Sequence, residues 1–203
     1  MILIQQEFGP LRNFTYILGD QEDGFGAVID PPRDLTEVDK ALERHRLKLV
    51  YVFNTHAHYD HIGGNNDLRA RGAKLVAHTK AKTHPDIGVS DGQIIQLGSL
   101  PITIIETPGH CPDAICLKAD NHLFTGDTLF IGECGRTDFP ESDPRAMHHS
   151  LLTVLRGLPD ELIVLPGHHY GTQPQRTLGE EKRDNYTLLP RTLDEFLTFM
   201  GAA

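Results

Sequence analysis

The sequence predicts an α/β or α+β protein in which two packed β-sheets carry helices on their outer faces. Strand patterns recur throughout the 203 residues, and helical patterns lie between them in both halves of the chain. Two sheets packed face to face with helices outside would bury the apolar faces of both kinds of element. No internal repeat or long linker divides the chain, so we predict a single domain over residues 1–203.

The strands are predicted from apolar, β-branched and aromatic runs bounded by turn-forming residues. The richest run, residues 47–53, indicates a buried strand. Another is expected to end at Asp30, because Pro31 and Pro32 cannot continue a hydrogen-bonded ladder. The predicted strands are residues 2–8, 14–18, 27–29, 47–53, 74–78, 94–97, 101–106, 114–117, 122–124 and 161–165.

Helices are predicted where apolar residues recur at intervals of three or four. Leu35, Val38 and Leu42 have this spacing within residues 35–45. A short helix is expected to follow Gly63-Gly64, with Asn65 or Asn66 near its cap. The remaining predicted helices are residues 144–155, with proline in the first turn, 178–185 and 193–200.

Composition and charge exclude several classes of function. The formal net charge of −9 provides no basic field for nucleic acid or anionic lipid, and no apolar run is long enough for a membrane helix. The apolar start of the chain is too short for a signal peptide, so we expect a cytoplasmic protein. The three cysteines, Cys111, Cys116 and Cys134, are an odd number and are expected to be free thiols.

The strongest chemical signal is a cluster of histidines and one aspartate directly after the strand 47–53. His56 and His58 occupy alternate positions of an extended segment, so they can converge on one ion. As the chain turns, Asp60 and His61 can reach a second ion nearby. Imidazole nitrogen and carboxylate oxygen suit zinc, iron or manganese better than calcium or magnesium.

Three further loops repeat this arrangement. Pro108-Gly109-His110, Gly126-Asp127 and Pro166-Gly167-His168 each follow a predicted strand, and a glycine beside each ligand would permit a tight turn. A lone histidine in a loop is usually solvated, and an exposed histidine patch is the alternative interpretation. Burying three imidazoles with a carboxylate and no cation would leave polar groups unsatisfied, which favours a metal centre. Asp30 is either a strand terminator or a residue that orients a ligand histidine.

In this order, residues 55–61, 108–110, 126–127 and 166–168 resemble the motifs of the metallo-β-lactamase superfamily. The resemblance covers nearly the whole chain, from Asn13-Phe14-Thr15-Tyr16 and Ile29-Asp30-Pro31 to the end. It implies an αββα sandwich with the metals at one edge of two mixed sheets. By position, the first metal site would be formed by His56, His58 and His110. The second would be formed by Asp60, His61 and His168, with Asp127 bridging the two ions.

Two branches of the superfamily are similar to this chain. Residues 54–65 and 125–130 resemble glyoxalase II enzymes, which hydrolyse hydroxyacylglutathione thioesters. Residues 134–139 (Cys-Gly-Arg-Thr-Asp-Phe), 180–183 and 193–196 resemble persulfide dioxygenases, which use a single iron bound by two histidines and an aspartate. The chain departs from glyoxalase II because 203 residues leave no room for its helical glutathione-binding domain. Cys111 also follows His110 where the family usually has threonine.

The leading hypothesis is hydrolysis of a thioester or ester at a dinuclear His/Asp site. Two divalent metal ions, with zinc expected first and iron or manganese as alternatives, would lower the pKa of a shared water. Asp60 would be the catalytic residue, ligating the second ion and orienting the nucleophile. Alternatives are an iron-dependent persulfide dioxygenase using His56, His110 and Asp127, a hydrolase of lactones or phosphodiesters, and a non-catalytic binding module.

The partner is expected to be a small-molecule substrate, with no nucleic acid or membrane and with a homodimer as one option for completing the cleft. Arg136 could bind an anionic substrate group, although an ion pair with Asp138 is an equal alternative. Tyr170, two residues beyond His168, could donate a hydrogen bond to substrate or pack in the core.

Overall fold

The computed structural model describes residues 1–202 and contains two six-stranded mixed sheets. Adjacent strands in the first sheet follow one another in sequence. The first two pairings are antiparallel and the remaining three are parallel. Its strands are β1 (Ile2–Phe8), β2 (Asn13–Gly19), β3 (Phe25–Ile29), β4 (Lys48–Phe53), β5 (Lys74–His78) and β6 (Ile87–Val89).

The second sheet is built from the later part of the chain. Its strands are β7 (Ile94–Leu97), β8 (Leu100–Glu106), β9 (Ile115–Ala119), β10 (His122–Gly126), β13 (Ile163–Pro166) and β14 (Arg176–Thr177). They pair in the order β14-β13-β10-β9-β8-β7, and only β10 and β13 are parallel. A separate two-stranded hairpin joins β11 (Leu129–Phe130) to β12 (Glu133–Cys134).

Helices cover the outer face of each sheet. The first sheet packs on α1 (Thr36–Arg44) and α2 (Asn65–Ala70), where Val38 and Leu68 are fully buried against strand residues. The second packs on α3 (Pro144–His149), α4 (Leu178–Asp184) and α5 (Leu193–Phe199) through Met147, Leu178 and Phe196. Together with the two sheets, these helices form the αββα sandwich that the sequence predicted.

The largest core lies between the sheets. Phe14, Leu18 and Phe53 of the first sheet pack against Ile104 and Phe124 of the second, and all five are buried. In β2 the intervening residue Ile17 faces the helices on the other side, and it too is fully buried. Both faces of the strand are therefore covered, which explains why its sequence is almost continuously apolar.

Several details differ from the sequence predictions. The helix predicted over residues 144–155 is α-helical only to His149 and continues as a π-helical turn, Ser150–Val154, and a 3₁₀ turn, Leu155–Gly157. Within this helix, the Ser150 hydroxyl donates a hydrogen bond to the Pro108 carbonyl oxygen, 2.6 Å away. The helix α2 begins at Asn65, directly after the cap residue Gly64, so Asn65 lies near the cap as predicted, but no side chain caps the helix. Asn65 instead exchanges amide hydrogen bonds with Asn54.

Four short strands were not predicted: β6, β11, β12 and β14. Three of them have only two residues, and β6 has three, with a glycine at its centre. Such segments show no periodicity that distinguishes them from loops. Among residues 1–202, no helix combines the length and apolarity needed to cross a bilayer. The single domain over residues 1–203 stays a prediction.

Tyr16 links the core to a loop of the candidate site. Its buried hydroxyl donates a hydrogen bond to the Pro166 carbonyl oxygen, 2.6 Å away. We expect Tyr16→Phe to lower the free energy of unfolding by about 1–3 kcal/mol, because a buried carbonyl loses its donor. Urea denaturation would measure the change.

Tyr51→Phe is the matched control. Within residues 1–202 the Tyr51 hydroxyl has no protein hydrogen bond, so the same chemical change should alter unfolding by less than about 0.5 kcal/mol. Equal losses in the two variants would contradict the role assigned to the Tyr16 hydroxyl.

Candidate metal centre

The seven candidate ligands meet at one edge of the sandwich. His56, His58, Asp60 and His61 follow β4 of the first sheet, whereas His110, Asp127 and His168 follow β8, β10 and β13 of the second. Their potential ligand atoms form three overlapping groups, each within 4.8 Å: His56, His58 and His110; His56, His61 and Asp127; Asp60, His61 and His168. The predicted convergence of four separated loops is therefore present.

The first group surrounds one nitrogen of His58. Its Nδ1 lies 3.1 Å from Nε2 of His56 and 2.9 Å from Nε2 of His110. The ring of Phe139 contacts the His58 and His110 rings edge-on, with centroids 5.2 and 5.6 Å away. Three ring nitrogens therefore face one point beside an apolar wall.

The group of Asp60, His61 and His168, called the second group below, is equally compact. Nε2 of His61 and Nε2 of His168 are 3.2 Å apart, and Oδ2 of Asp60 lies 3.6 and 3.5 Å from them. Asp127 lies between the group of His56, His58 and His110 and the group of Asp60, His61 and His168. Its Oδ2 lies 3.6 Å from His110 Nε2 and 3.3 Å from His168 Nε2. This is the position that a bridging carboxylate requires.

Hydrogen bonds donated by the ring nitrogens that point away from the site fix the orientation of the rings. The Nδ1–H of His168 donates to the Leu11 carbonyl oxygen at 2.9 Å, and that of His110 donates to the Arg136 carbonyl oxygen at 2.8 Å. His61 Nδ1 donates to Asp30 Oδ2 at 3.0 Å. In each ring Nε2 is therefore left facing the centre of the site. Hydrogen bonds from the other ring nitrogen orient metal-bound histidines in the same way.

Asp30 supports the ligand loop at three points. Besides His61, its carboxylate accepts hydrogen bonds from the backbone N–H of Thr55 at 2.8 Å and from the Thr55 hydroxyl at 2.6 Å. Since that hydroxyl donates to Asp30, it can accept a hydrogen bond from Nδ1 of His56, 3.1 Å away. Of the two interpretations of Asp30 from sequence, the orienting role agrees with these contacts.

The residues present fit a bound cation. Oδ1 of Asp127 is buried and has no hydrogen-bond partner within residues 1–202. Asp127 keeps a lowered pKa despite its burial, because His61 and His168 lie beside its carboxylate. A divalent ion among these nitrogens and oxygens would satisfy the orphaned oxygen and balance the buried negative charge.

Without a cation, protons on the histidines balance part of the buried negative charge. Burial disfavours the charged form of His61, but Asp127 and Asp30 outweigh it and raise its pKa to about 9. Burial and the neighbouring His61 lower the pKa of His56, and burial lowers that of His110. His56 and His110 are therefore neutral and able to ligate at neutral pH, whereas His61 carries a proton.

Glycines bring the loops close together. Gly126 has φ +50°, and a side chain there would also meet Thr55. Gly167 does not have a positive φ; instead, an added Cβ would collide with Oδ1 of Asp127. The sequence argument that each glycine serves a tight turn therefore holds for Gly126 and for Gly109, whose φ is +148°. At Gly167 the requirement is space beside the carboxylate of Asp127.

A cavity of about 910 Å³ opens directly beside the ligands. The two predicted substrate-binding residues, Arg136 and Tyr170, line it. The Arg136 side chain pairs with Asp138 and lies over the Phe139 ring, 4.5 Å from its centroid. The Tyr170 ring stacks on His168 at 4.7 Å and is 54% exposed. Their binding of substrate stays a prediction.

Sequence reasoning missed several contributors. Asn13, Thr55 and the carbonyl oxygen of Leu11 contact the ligands. Asn13 and Thr55 lie in segments that resemble the superfamily, but the sequence assigned no role to either residue. Cys111, which follows His110, belongs to none of the three groups found among the described residues. Burial and the carboxylate of Asp113 raise the pKa of Cys111 far above its usual range, so the thiol stays protonated.

The αββα fold and the His/Asp cluster at its edge define a metal-dependent enzyme. The chain belongs to the metallo-β-lactamase superfamily, whose family model matches residues 8–94 and 79–168. It is 34% identical to the human mitochondrial persulfide dioxygenase ETHE1, over 98% of this chain and 81% of that protein. It is also 36% identical to the hydroxyacylglutathione hydrolase of Polaromonas sp., over 90% of this chain and 73% of the relative.

A solved structure gives the same relationship. The crystal structure of ETHE1 from Myxococcus xanthus superposes with a TM-score of 0.94 at 33% identity, covering 99% of this chain and 90% of that one. Both branches named by the sequence motifs are thus found among the relatives.

Removing the Asp30 carboxylate should weaken the metal centre. Asp30→Asn loses the charged acceptor that orients His61 and, through Thr55, His56. We expect metal affinity to fall by about 10–100-fold, as measured by chelator competition. Asp20→Asn is the control, because Asp20 is equally buried but accepts its hydrogen bonds from Ser99, Glu22 and Asp23, outside the site. Unchanged affinity in Asp30→Asn would refute the orienting role.

Binding of a cation to the group containing His61 should release a proton. Because the pKa of His61 is about 9, its imidazole must be deprotonated first. Affinity at this position should therefore rise by about tenfold per pH unit from neutrality to that pKa. Calorimetry in buffers of different ionisation enthalpy would count the protons.

Binding at the position of the neutral His56 and His110 serves as the internal control and should depend less on pH. An equal pH dependence for both positions would contradict the charge distribution described above.

Proposed function

We propose that this chain is an iron-dependent persulfide dioxygenase, which oxidises the terminal sulfur of a low-molecular-weight persulfide. The sequence motifs favoured hydrolysis first and dioxygenation second. The order is reversed because the match to human ETHE1 spans 98% of this chain, and the Myxococcus xanthus ETHE1 structure superposes over 99% of it.

The observation that carries the proposal is the position of the segment that resembles the dioxygenase branch. Residues 134–139 line the cavity beside the ligands. The Arg136 carbonyl oxygen of this segment accepts the hydrogen bond from His110, and its Phe139 ring packs on His58 and His110. The branch-specific residues thus support the metal ligands and form a wall of the substrate space.

His56, His110 and Asp127 would hold the iron. The Nε2 atoms of His56 and His110 lie 4.0 and 3.6 Å from Asp127 Oδ2, the arrangement of a two-histidine, one-carboxylate face. Iron in such a face supplies the redox chemistry that lets dioxygen react with a thiol-derived sulfur, with open positions for both reactants. His56 and His110, being neutral, need not lose a proton to serve as ligands.

The chain's own residues would bind and shield the substrate. Phe130, Phe139 and Leu11 supply apolar walls that limit access of water to the sulfur. Arg136 and Tyr170 at the same cavity offer donors to the polar part of the carrier thiol. The overall reaction converts a persulfide, dioxygen and water into the thiol, sulfite and two protons. The sulfur–sulfur bond breaks, and the terminal sulfur is oxidised by dioxygen.

Thioester hydrolysis is the second candidate. It is favoured by the complete second group of Asp60, His61 and His168, which a one-iron reaction does not require, and by similarity to hydroxyacylglutathione hydrolase. In that reaction Asp60 would orient the attacking water at a two-metal site. The two candidates differ in oxygen consumption and in their dependence on His168.

The proposal predicts oxygen uptake by the iron-loaded protein when glutathione persulfide is added, measured with an oxygen electrode and by sulfite formation. His110→Ala should reduce the rate by about 100-fold or more, because one of three iron ligands is lost. His45→Ala removes an exposed histidine outside the site and should leave the rate unchanged.

Hydroxyacylglutathione hydrolysis is assayed on the same preparations. Hydrolysis without oxygen uptake, lost in both Asp60→Ala and His168→Ala, would replace the dioxygenase proposal with the hydrolase.

A further inference from the structure

Asn13 reaches the candidate metal centre from a distant part of the sequence. It begins β2, and its side-chain Nδ2 donates a hydrogen bond to Oδ2 of Asp60 at 2.9 Å, with the Asp60 carbonyl oxygen 3.5 Å away. Both are contacts with Asp60. Asn13 is therefore a direct neighbour of one candidate ligand.

The Asp60 oxygen that Asn13 contacts is the one that faces His61 and His168. Oδ2 of Asp60 lies 3.6 Å from His61 Nε2 and 3.5 Å from His168 Nε2. A carboxylate oxygen can accept a hydrogen bond and bind a cation at the same time. The Asn13 amide can thus hold the carboxylate in the ligating orientation without blocking it.

Asn13 is itself held firmly against the loop that carries His168. The backbone N–H of Phe14 donates to the Gly167 carbonyl oxygen at 2.8 Å, and that of His169 donates to the Arg12 carbonyl oxygen at 2.9 Å. The turn between β1 and β2 therefore moves together with His168. It provides a fixed platform from which the amide of Asn13 reaches Asp60.

We infer that Asn13 is a positioning residue for the second metal position and thereby controls how many ions each chain binds. The Asp60 side chain is 15% exposed, the most exposed in its group, and without the amide it is free to turn toward solvent. Within residues 1–202 the Asn13 side chain makes its hydrogen bonds to Asp60 and none to His56, His110 or Asp127. Loss of the Asn13 side chain should therefore lower metal affinity at the position that contains Asp60 and leave it unchanged at the position of His56, His110 and Asp127.

The test is a zinc titration of metal-free full-length protein and of Asn13→Ala, followed by calorimetry with a competing chelator. In the unsubstituted chain we expect two zinc equivalents. In Asn13→Ala the weaker equivalent should lose about 10–100-fold in affinity, while the tighter one is unchanged. Zinc is redox-inert, so the result is independent of whether the protein consumes oxygen and distinguishes failure of this inference from failure of the proposed function.

Arg12→Ala is the matched control. Arg12 lies in the same turn, but its side chain contacts Glu7 and His169 and not Asp60, so both zinc affinities should be retained. Asn13→Leu, which fills the space without a donor, should reproduce the effect of Asn13→Ala if lost volume is not the cause. One zinc per unsubstituted chain, an unchanged second affinity in Asn13→Ala, or equal losses in Arg12→Ala would each overturn the inference.

Discussion

The hydrogen bonds of the Asp30 carboxylate hold the ligand loop in place, and most of the site depends on them. Asp30 directly follows β3 in a left-handed conformation, with φ +50°, and its side chain meets the start of the loop after β4. Because the carboxylate binds both Thr55 and His61, it secures the loop at two positions six residues apart. A buried carboxylate with three donors is well compensated, whereas an unpaired one would be costly.

The site also requires both sheets to be docked. Four candidate ligands come from the first sheet's β4 loop and three from loops of the second sheet. The core between the sheets, which includes Phe53 and Phe124, therefore sets the distance between the two ligand sets. Close packing of such a core resists small displacements, and metal coordination needs that precision. Tyr16 strengthens this link, since its ring packs on Phe124 and its hydroxyl bonds the Pro166 carbonyl oxygen.

Most of the fold and the ligand cluster could be predicted because they depend on local patterns. Strands such as β4 and β8 have a clear apolar signal, and each is followed directly by a motif of histidine and glycine. The contribution of Asn13 could not be predicted in this way. It contacts Asp60 from 47 residues away, and the resemblance of its own segment to the superfamily does not show which residue its side chain meets. The clash that makes Gly167 necessary likewise exists only after two loops have met.

The two candidate metal positions, one at His56 and His110 and one at Asp60 and His168, are supported by different parts of the chain. His110 is oriented by the segment 134–139. His56 is oriented by the Thr55 hydroxyl, which is itself held by the Asp30 carboxylate. His168 and Asp60 are instead held by the turn between β1 and β2. Asp127, the Asp30–His61 contact and the rings of His56 and His61, whose centroids are 4.2 Å apart, connect the two systems. Because different segments contact the two candidate positions, we expect substitutions in one segment to affect one position more than the other. One αββα scaffold can in this way support both one-metal and two-metal chemistry without a change of fold.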